Sequence, residues 1–142
     1  MVYRVCHTQP VNTGFPAVCG RREKGEEMEY PEIYAVDFDK TLNMAEKYPE
    51  LGEPNIKLME YLKQRRAAGD KVILWTCREG EQLKAAVKYC NKYGLCFDAI
   101  NDNLRENIEY WGNNCRKVWA HYYIDDRNVG EELWEDFPEV MP

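Results

Sequence analysis

The chain has 142 residues, a net charge of −6, 44% hydrophobic residues and 13% aromatic residues. That is enough apolar material for one domain with a core, and it excludes a disordered chain. The acidic balance argues against nucleic acid or an anionic membrane as partner in the absence of a local basic patch. No apolar run approaches the ~20 residues of a membrane span.

Residues 1–30 differ from the rest. Pro10, Gly14, Pro16 and Gly20 precede the charged run Arg21-Arg22-Glu23-Lys24-Gly25-Glu26-Glu27. This composition predicts an irregular arm and linker, with a short strand at 3–6, ahead of a domain spanning 31–142. Cys6, His7 and Cys19 are residue types that bind zinc. They lack a CxxC pair and an evident fourth ligand, so an ordinary extension is the expectation. The first residues have no apolar signal core, which points to the cytoplasm. Cys6, Cys19, Cys77, Cys90, Cys96 and Cys115 are then expected as free, mostly buried thiols.

Ile33-Tyr34-Ala35-Val36 has the pattern of a buried strand, and Asp37 and Asp39 follow it. Residues two apart in an extended segment point the same way, roughly 6–7 Å from each other. Two anions placed so need a cation, a shared proton or open water. A polar loop after a strand would serve equally well on these residues alone.

Next comes a loop at 43–53, then a helix opening at Pro54 and running to about Ala68, closed by Gly69. Lys71-Val72-Ile73-Leu74-Trp75-Thr76 is the second strand, continuous and apolar as in parallel sheets covered on both faces. A helix at 81–93 follows, with Leu83, Ala86, Val87 and Cys90 on one face and Gly94 as its stop. Residues 95–100 predict a third strand, 104–111 a short helix and 118–124 a fourth strand. The acidic tail carries one expected helical turn at 131–134. Alternating strands and helices with short connections predict a parallel α/β sheet with helices on both faces. Ligands bind beyond the carboxyl ends of such strands. Asp37 and Asp39, Thr76-Cys77-Arg78, and Asp125-Asp126 all fall on that rim.

Asp37-Phe38-Asp39-Lys40-Thr41, then Thr76, then Lys117, then Asp125-Asp126 resemble the ordered motifs of the haloacid dehalogenase (HAD) superfamily, over residues 33–127. The runs Ile73-Leu74-Trp75-Thr76-Cys77-Arg78-Glu79-Gly80 and Tyr123-Ile124-Asp125-Asp126-Arg127 further resemble its small capless hydrolases of bacteria and phages. The resemblance implies a Rossmann-like, HAD-like fold and a phosphomonoester hydrolase. Asp37 would be the nucleophile forming an aspartyl-phosphate, and Asp39 the proton donor and then the base. Mg2+ would be bound by Asp37, the Asp39 backbone carbonyl and Asp125, with Asp126 adjacent. Thr76 and Lys117 would bind the phosphoryl group, with Thr41, Cys77 and Arg78 as further phosphate or substrate contacts.

Some assignments stay open at this point. Arg116 rivals Lys117, and Arg78 could instead pair with Glu79. Tyr110, Trp111 and Trp119 suit core packing better than stacking on a substrate base. Lys40 stands where small members of the superfamily often have glycine. Neither inter-motif segment has room for a folded cap, so the site is expected to be open, facing a large substrate or a second copy of the chain. A phosphorylated small molecule is the expected partner, with a macromolecular phosphate as the other choice. A phosphotransferase, or a phosphate- and metal-binding module without turnover, are the alternatives to a hydrolase.

Overall fold

The computed structural model describes residues 30–129. Cys6, His7, Cys19, the strand expected at 3–6 and the helical turn expected at 131–134 lie outside the described residues. Within them the order is β1 (Ile33–Val36), α1 (Ile56–Ala67), β2 (Lys71–Leu74), α2 (Gly80–Lys92), β3 (Ala99–Ile100), α3 (Arg105–Trp111) and β4 (Tyr122–Ile124). The strands form one parallel sheet in the order β3-β2-β1-β4.

All four residues of β1 are buried, because both faces of the sheet are covered. Tyr34 and Val36 pack with Val72, Leu74, Met59, Leu62, Leu83 and Val87 on the face that carries α1 and α2. Ile33 and Ala35 pack with Ile73, Ala99, Leu104, Val118 and Ala120 on the other. Right-handed crossovers account for this division. The chain steps outward from β1 to β2 to β3, which puts α1 and α2 on one face. It then returns past β1 to β4, which puts α3 on the opposite face. The reversal occurs between β1 and β4.

Helix boundaries match the sequence to within two residues. At α1 the Asn55 side chain accepts the Leu58 N–H at 3.2 Å, and Gly69 ends the helix region at φ 101°. The strands are shorter than expected, for local reasons. Leu95–Asp98 was expected in β3, but the Leu95 N–H bonds back to Cys90 O, closing α2. The Asp98 carboxylate instead takes the Val72 N–H and the Arg66 guanidinium. Residues 118–120 precede β4 because side chains satisfy their amides: Trp119 N–H donates to Asn103 Oδ1 and Ala120 N–H to Tyr123 Oη.

Two further expectations fail. Tyr110 and Trp111 are exposed at 57% and 51%, and they pack edge-to-face on each other instead of entering the core. Trp111, Trp119, Asn103, Asn107, Ile108, Asn113 and Cys115 line an open cavity of about 250 Å³ beside α3. The cysteines are not uniformly free and buried. Cys96 is disulfide-bonded, Cys77 and Cys115 are exposed, and of the free thiols among the described residues only Cys90 is buried.

The loop at 43–53 is organised by Asn43, which is fully buried. Its Nδ2 donates to Glu50 O at 2.8 Å, and its Oδ1 accepts the Gly52 N–H at 2.8 Å. A Cβ on Gly52 would lie 2.9 Å from Ala45 Cα, so only glycine fits. No described helix is long and apolar enough to cross a membrane.

Candidate active site

The strand order reverses between β1 and β4, and in parallel sheets the carboxyl ends of strands at such a point are where ligands bind. The Asp37 N–H bonds to Ile124 O at 2.9 Å and carries the parallel pairing one step past β1. That bond places Asp37 beside Asp125 and Asp126. One carboxylate oxygen of each lies within 4.8 Å of the other two. Thr41 ties the cluster together. Its hydroxyl is 3.5 Å from Asp37 Oδ2 and accepts the Asp126 N–H at 3.2 Å. Thr41 is buried, and its hydroxyl braces the Asp37 carboxylate against the Asp126 backbone.

Burial pushes Asp37 up to about 6; the Phe38 backbone hydrogen bond opposes this, and the Asp125 and Asp126 charges add to it. Three acids at this spacing therefore repel one another and favour a bound cation. Oxygen ligands on opposite sides of a Mg2+ ion stand ~4.2 Å apart. Adjacent ligands stand ~3.0 Å apart, so oxygens spread over as much as 4.8 Å would have to draw together around the ion; their all-oxygen chemistry suits a hard cation.

Asp39 is not part of the carboxylate cluster. Its side chain turns to Arg78, whose Nε donates to Oδ2 at 2.8 Å and whose Nη2 donates to Oδ1 at 2.7 Å. The Arg78 side chain is 0% exposed, and its ion-pair partner is Asp39 and not Glu79. The guanidinium also lies over the rings of Phe38 and Tyr48, at 4.7 and 5.0 Å from their centroids.

The remaining predicted residues divide. Thr76 lies at the rim, its hydroxyl accepting the Arg78 N–H at 3.1 Å, which leaves the hydroxyl proton to donate. Cys77, beside it, is exposed. The Lys117 ammonium lies over the Tyr123 ring, 5.1 Å from the centroid. No described ion pair joins it to Asp37, Asp125 or Asp126. Its rival Arg116 is committed to Asp102 at 3.0 Å.

Asn101 was missed from sequence. Its Oδ1 accepts the Thr76 N–H at 2.8 Å and its Nδ2 donates to Arg78 O at 3.3 Å, so it fixes the turn after β2. Its φ of 49° is a left-handed value that asparagine tolerates. An asparagine just past a strand was the available signal, but its partners are 23 and 25 residues away.

Lys40 is exposed and has φ 60°, with its N–H bonded to Asn43 O at 2.7 Å. The turn between the two aspartates and the loop needs a left-handed residue, which explains why glycine suits this position. Lys40→Gly is expected to leave thermal stability within about 1 kcal/mol of wild type, and Lys40→Val to lower it by roughly 1–2 kcal/mol. Thermal denaturation of the two variants would check this; equal effects would show that the lysine side chain, and not the backbone, matters.

No known protein family matches the chain, and no curated protein matches it. Among solved structures, a conserved protein coded by a locus of Bacteroides thetaiotaomicron is similar at 36% identity. The match covers 80% of this chain and 94% of that one, with a TM-score of 0.62. The fold and rim define an α/β protein with a parallel, Rossmann-like sheet. Within that class, the chain belongs to the family of the conserved Bacteroides protein.

Proposed function

We propose that this chain is a Mg2+-dependent phosphomonoester hydrolase of the HAD type, with Asp37 as nucleophile. The observation that carries the reading is the convergence of Asp37, Asp125 and Asp126 at the sheet's reversal point, their oxygens within 4.8 Å of one another. A polar loop has no need to crowd three acids where one is driven up to about 6.

When bound, Mg2+ would be held by Asp37, Asp125 and Asp126 together with the Asp39 backbone carbonyl, and it would offset the charge of an approaching phosphate. An Asp37 oxygen attacks phosphorus as the bond to the leaving oxygen breaks. Asp39 supplies the proton that oxygen takes up. Water then attacks the phosphorus of the aspartyl-phosphate, the bond to Asp37 breaks, and Asp39 accepts the water's proton. Thr76 donates its hydroxyl to a phosphoryl oxygen. Lys117, a flexible cation beside β4, reaches in as charge develops. Among the described residues, the connections after β1 and β2 each hold a single helix, α1 and α2. The substrate class best suited to this open site is a phosphorylated small molecule or an exposed phosphate on a larger one.

The test is phosphate release from p-nitrophenyl phosphate with Mg2+ and with a chelator. Turnover that survives the chelator would remove the metal from the proposal. Metal binding is itself expected to depend on pH, because Mg2+ must displace the Asp37 proton. With Asp37 near 6, affinity measured by titration calorimetry should be about tenfold weaker at about pH 5 than at about pH 7. Equal affinity at both would place the ion elsewhere.

One observation favours a second reading, a phosphate- and metal-binding module without turnover. Both Asp39 oxygens accept hydrogen bonds from Arg78. Mg2+ binding together with silence across a panel of phosphorylated metabolites would select this reading.

A further inference from the structure

We infer that Arg78 is a positioning residue, which fixes the Asp39 carboxylate for proton transfer and makes its placement depend on the loop at 43–53. The inference rests on the hydrolase reading, since it concerns how Asp39 performs the role given to it there.

Arg78 has no route to a substrate. Its side chain is 0% exposed, and Asp39 is its ion-pair partner. Its donors are turned toward the protein. Nε and Nη2 engage Asp39, Nη2 also reaches Pro49 O at 3.2 Å and Glu50 O at 3.5 Å, and Nη1 reaches Gln82 O at 3.5 Å. Phe38 and Tyr48 lie against the guanidinium. Main-chain atoms of Arg78 bond to Thr76 and Asn101. This one residue therefore joins the turn after β1, the turn after β2, the end of β3 and the loop at 43–53.

The two-point contact sets the plane of the Asp39 carboxylate as well as its position. Each oxygen accepts one bond from Arg78 and keeps a second lone pair. The Asp39 side chain remains 32% exposed, so one of those lone pairs can carry the proton that passes to a leaving oxygen and later take one from a water. The pair thus orients Asp39 without closing it off. The loop enters because its carbonyls at 49 and 50 are part of the guanidinium's cage. The Glu50 carbonyl is itself held by Asn43 Nδ2 at 2.8 Å, and, two residues on, the Tyr89 hydroxyl donates to Gly52 O at 2.6 Å.

Leaving-group dependence separates positioning from mere structural support. A p-nitrophenolate leaves without a proton, whereas an alkoxide needs one. Arg78→Lys keeps the charge but loses the planar fork. It is expected to lower the single-turnover rate of alcohol release from an alkyl phosphate by about a hundredfold, as a proton carrier displaced by ~1 Å would. The same variant should change the single-turnover release of p-nitrophenolate little, because the later hydrolysis of the aspartyl-phosphate, which needs Asp39 as base for both esters, is not read in that measurement. Asp39→Asn should show the same selectivity. Equal losses on both esters, or a loss confined to KM, would overturn the positioning role. A wild-type protein that binds Mg2+ yet releases phosphate from neither ester would instead overturn the hydrolase reading itself.

Discussion

Asp37→Asn is expected to abolish phosphate release while making the metal-free protein more stable at neutral pH. The two effects share a cause. The carboxylate at 37 is the proposed attacking atom, and no amide replaces it, so turnover should fall by at least about a thousandfold. Burial raises the proton affinity of the same carboxylate to about 6 from a usual value of 3.8, with the Asp125 and Asp126 charges adding to it. A carboxyl whose folded value is raised stabilises the fold fully below its unfolded value, and that contribution is lost as pH rises through the folded value. The metal-free wild type should therefore lose stability between about pH 4 and pH 6 and stay level above that. Because Asp37 is half-buried, screening reduces the loss to roughly 1–2 kcal/mol. Asp37→Asn should remove this slope. Chemical denaturation across pH, with chelator present, would measure it. A variant with wild-type turnover would displace Asp37 as nucleophile, and an unchanged slope would displace it as the titrating group.

Asp39→Ala is expected to destabilise the fold by about 3 kcal/mol, a far larger effect than a rim carboxylate usually has. The reason lies in its partner. Arg78 has no exposed side-chain surface, and removing Asp39 leaves a buried guanidinium with only backbone carbonyls and the Phe38 and Tyr48 rings around it. Breaking a buried pair from one side typically costs about 3–5 kcal/mol. The contacts to Pro49, Glu50 and Gln82 put this case at the lower end. Arg78→Met combined with Asp39→Ala should recover much of the loss, because neither charge is then stranded. Denaturant midpoints of the two single variants and the double variant would check this. Strict additivity would show that the pair is not coupled in solution.

The sequence made the fold legible because its strongest signals are local. The apolar runs at 33–36 and 71–74 and the helical periodicity at 83–90 each depend on near neighbours in the chain. The strand ends were less legible. Asp98 and Asn103 divert amides from the sheet, and a side chain acting 16 to 26 residues away leaves no periodic trace. The same limit applied at the rim. Asp37, Asp125 and Asp126 stood out as acids after strands, but the partner of Arg78 did not. Glu79 was its nearest acid along the chain, and the fold chose Asp39, which is 39 residues distant.

The sequence by itself determined an α/β sheet with acids and a threonine directly after its strands, since strand pattern and crossover handedness leave little choice. Only the tertiary structure decided which acids act together. The side chains of Asp37 and Asp39 are separated by their partners: Asp37 faces Asp125 and Asp126 across the reversal point, while a buried guanidinium draws Asp39 away. The physical reason is that a buried charge must be paired, and which groups become buried is settled by packing between distant elements.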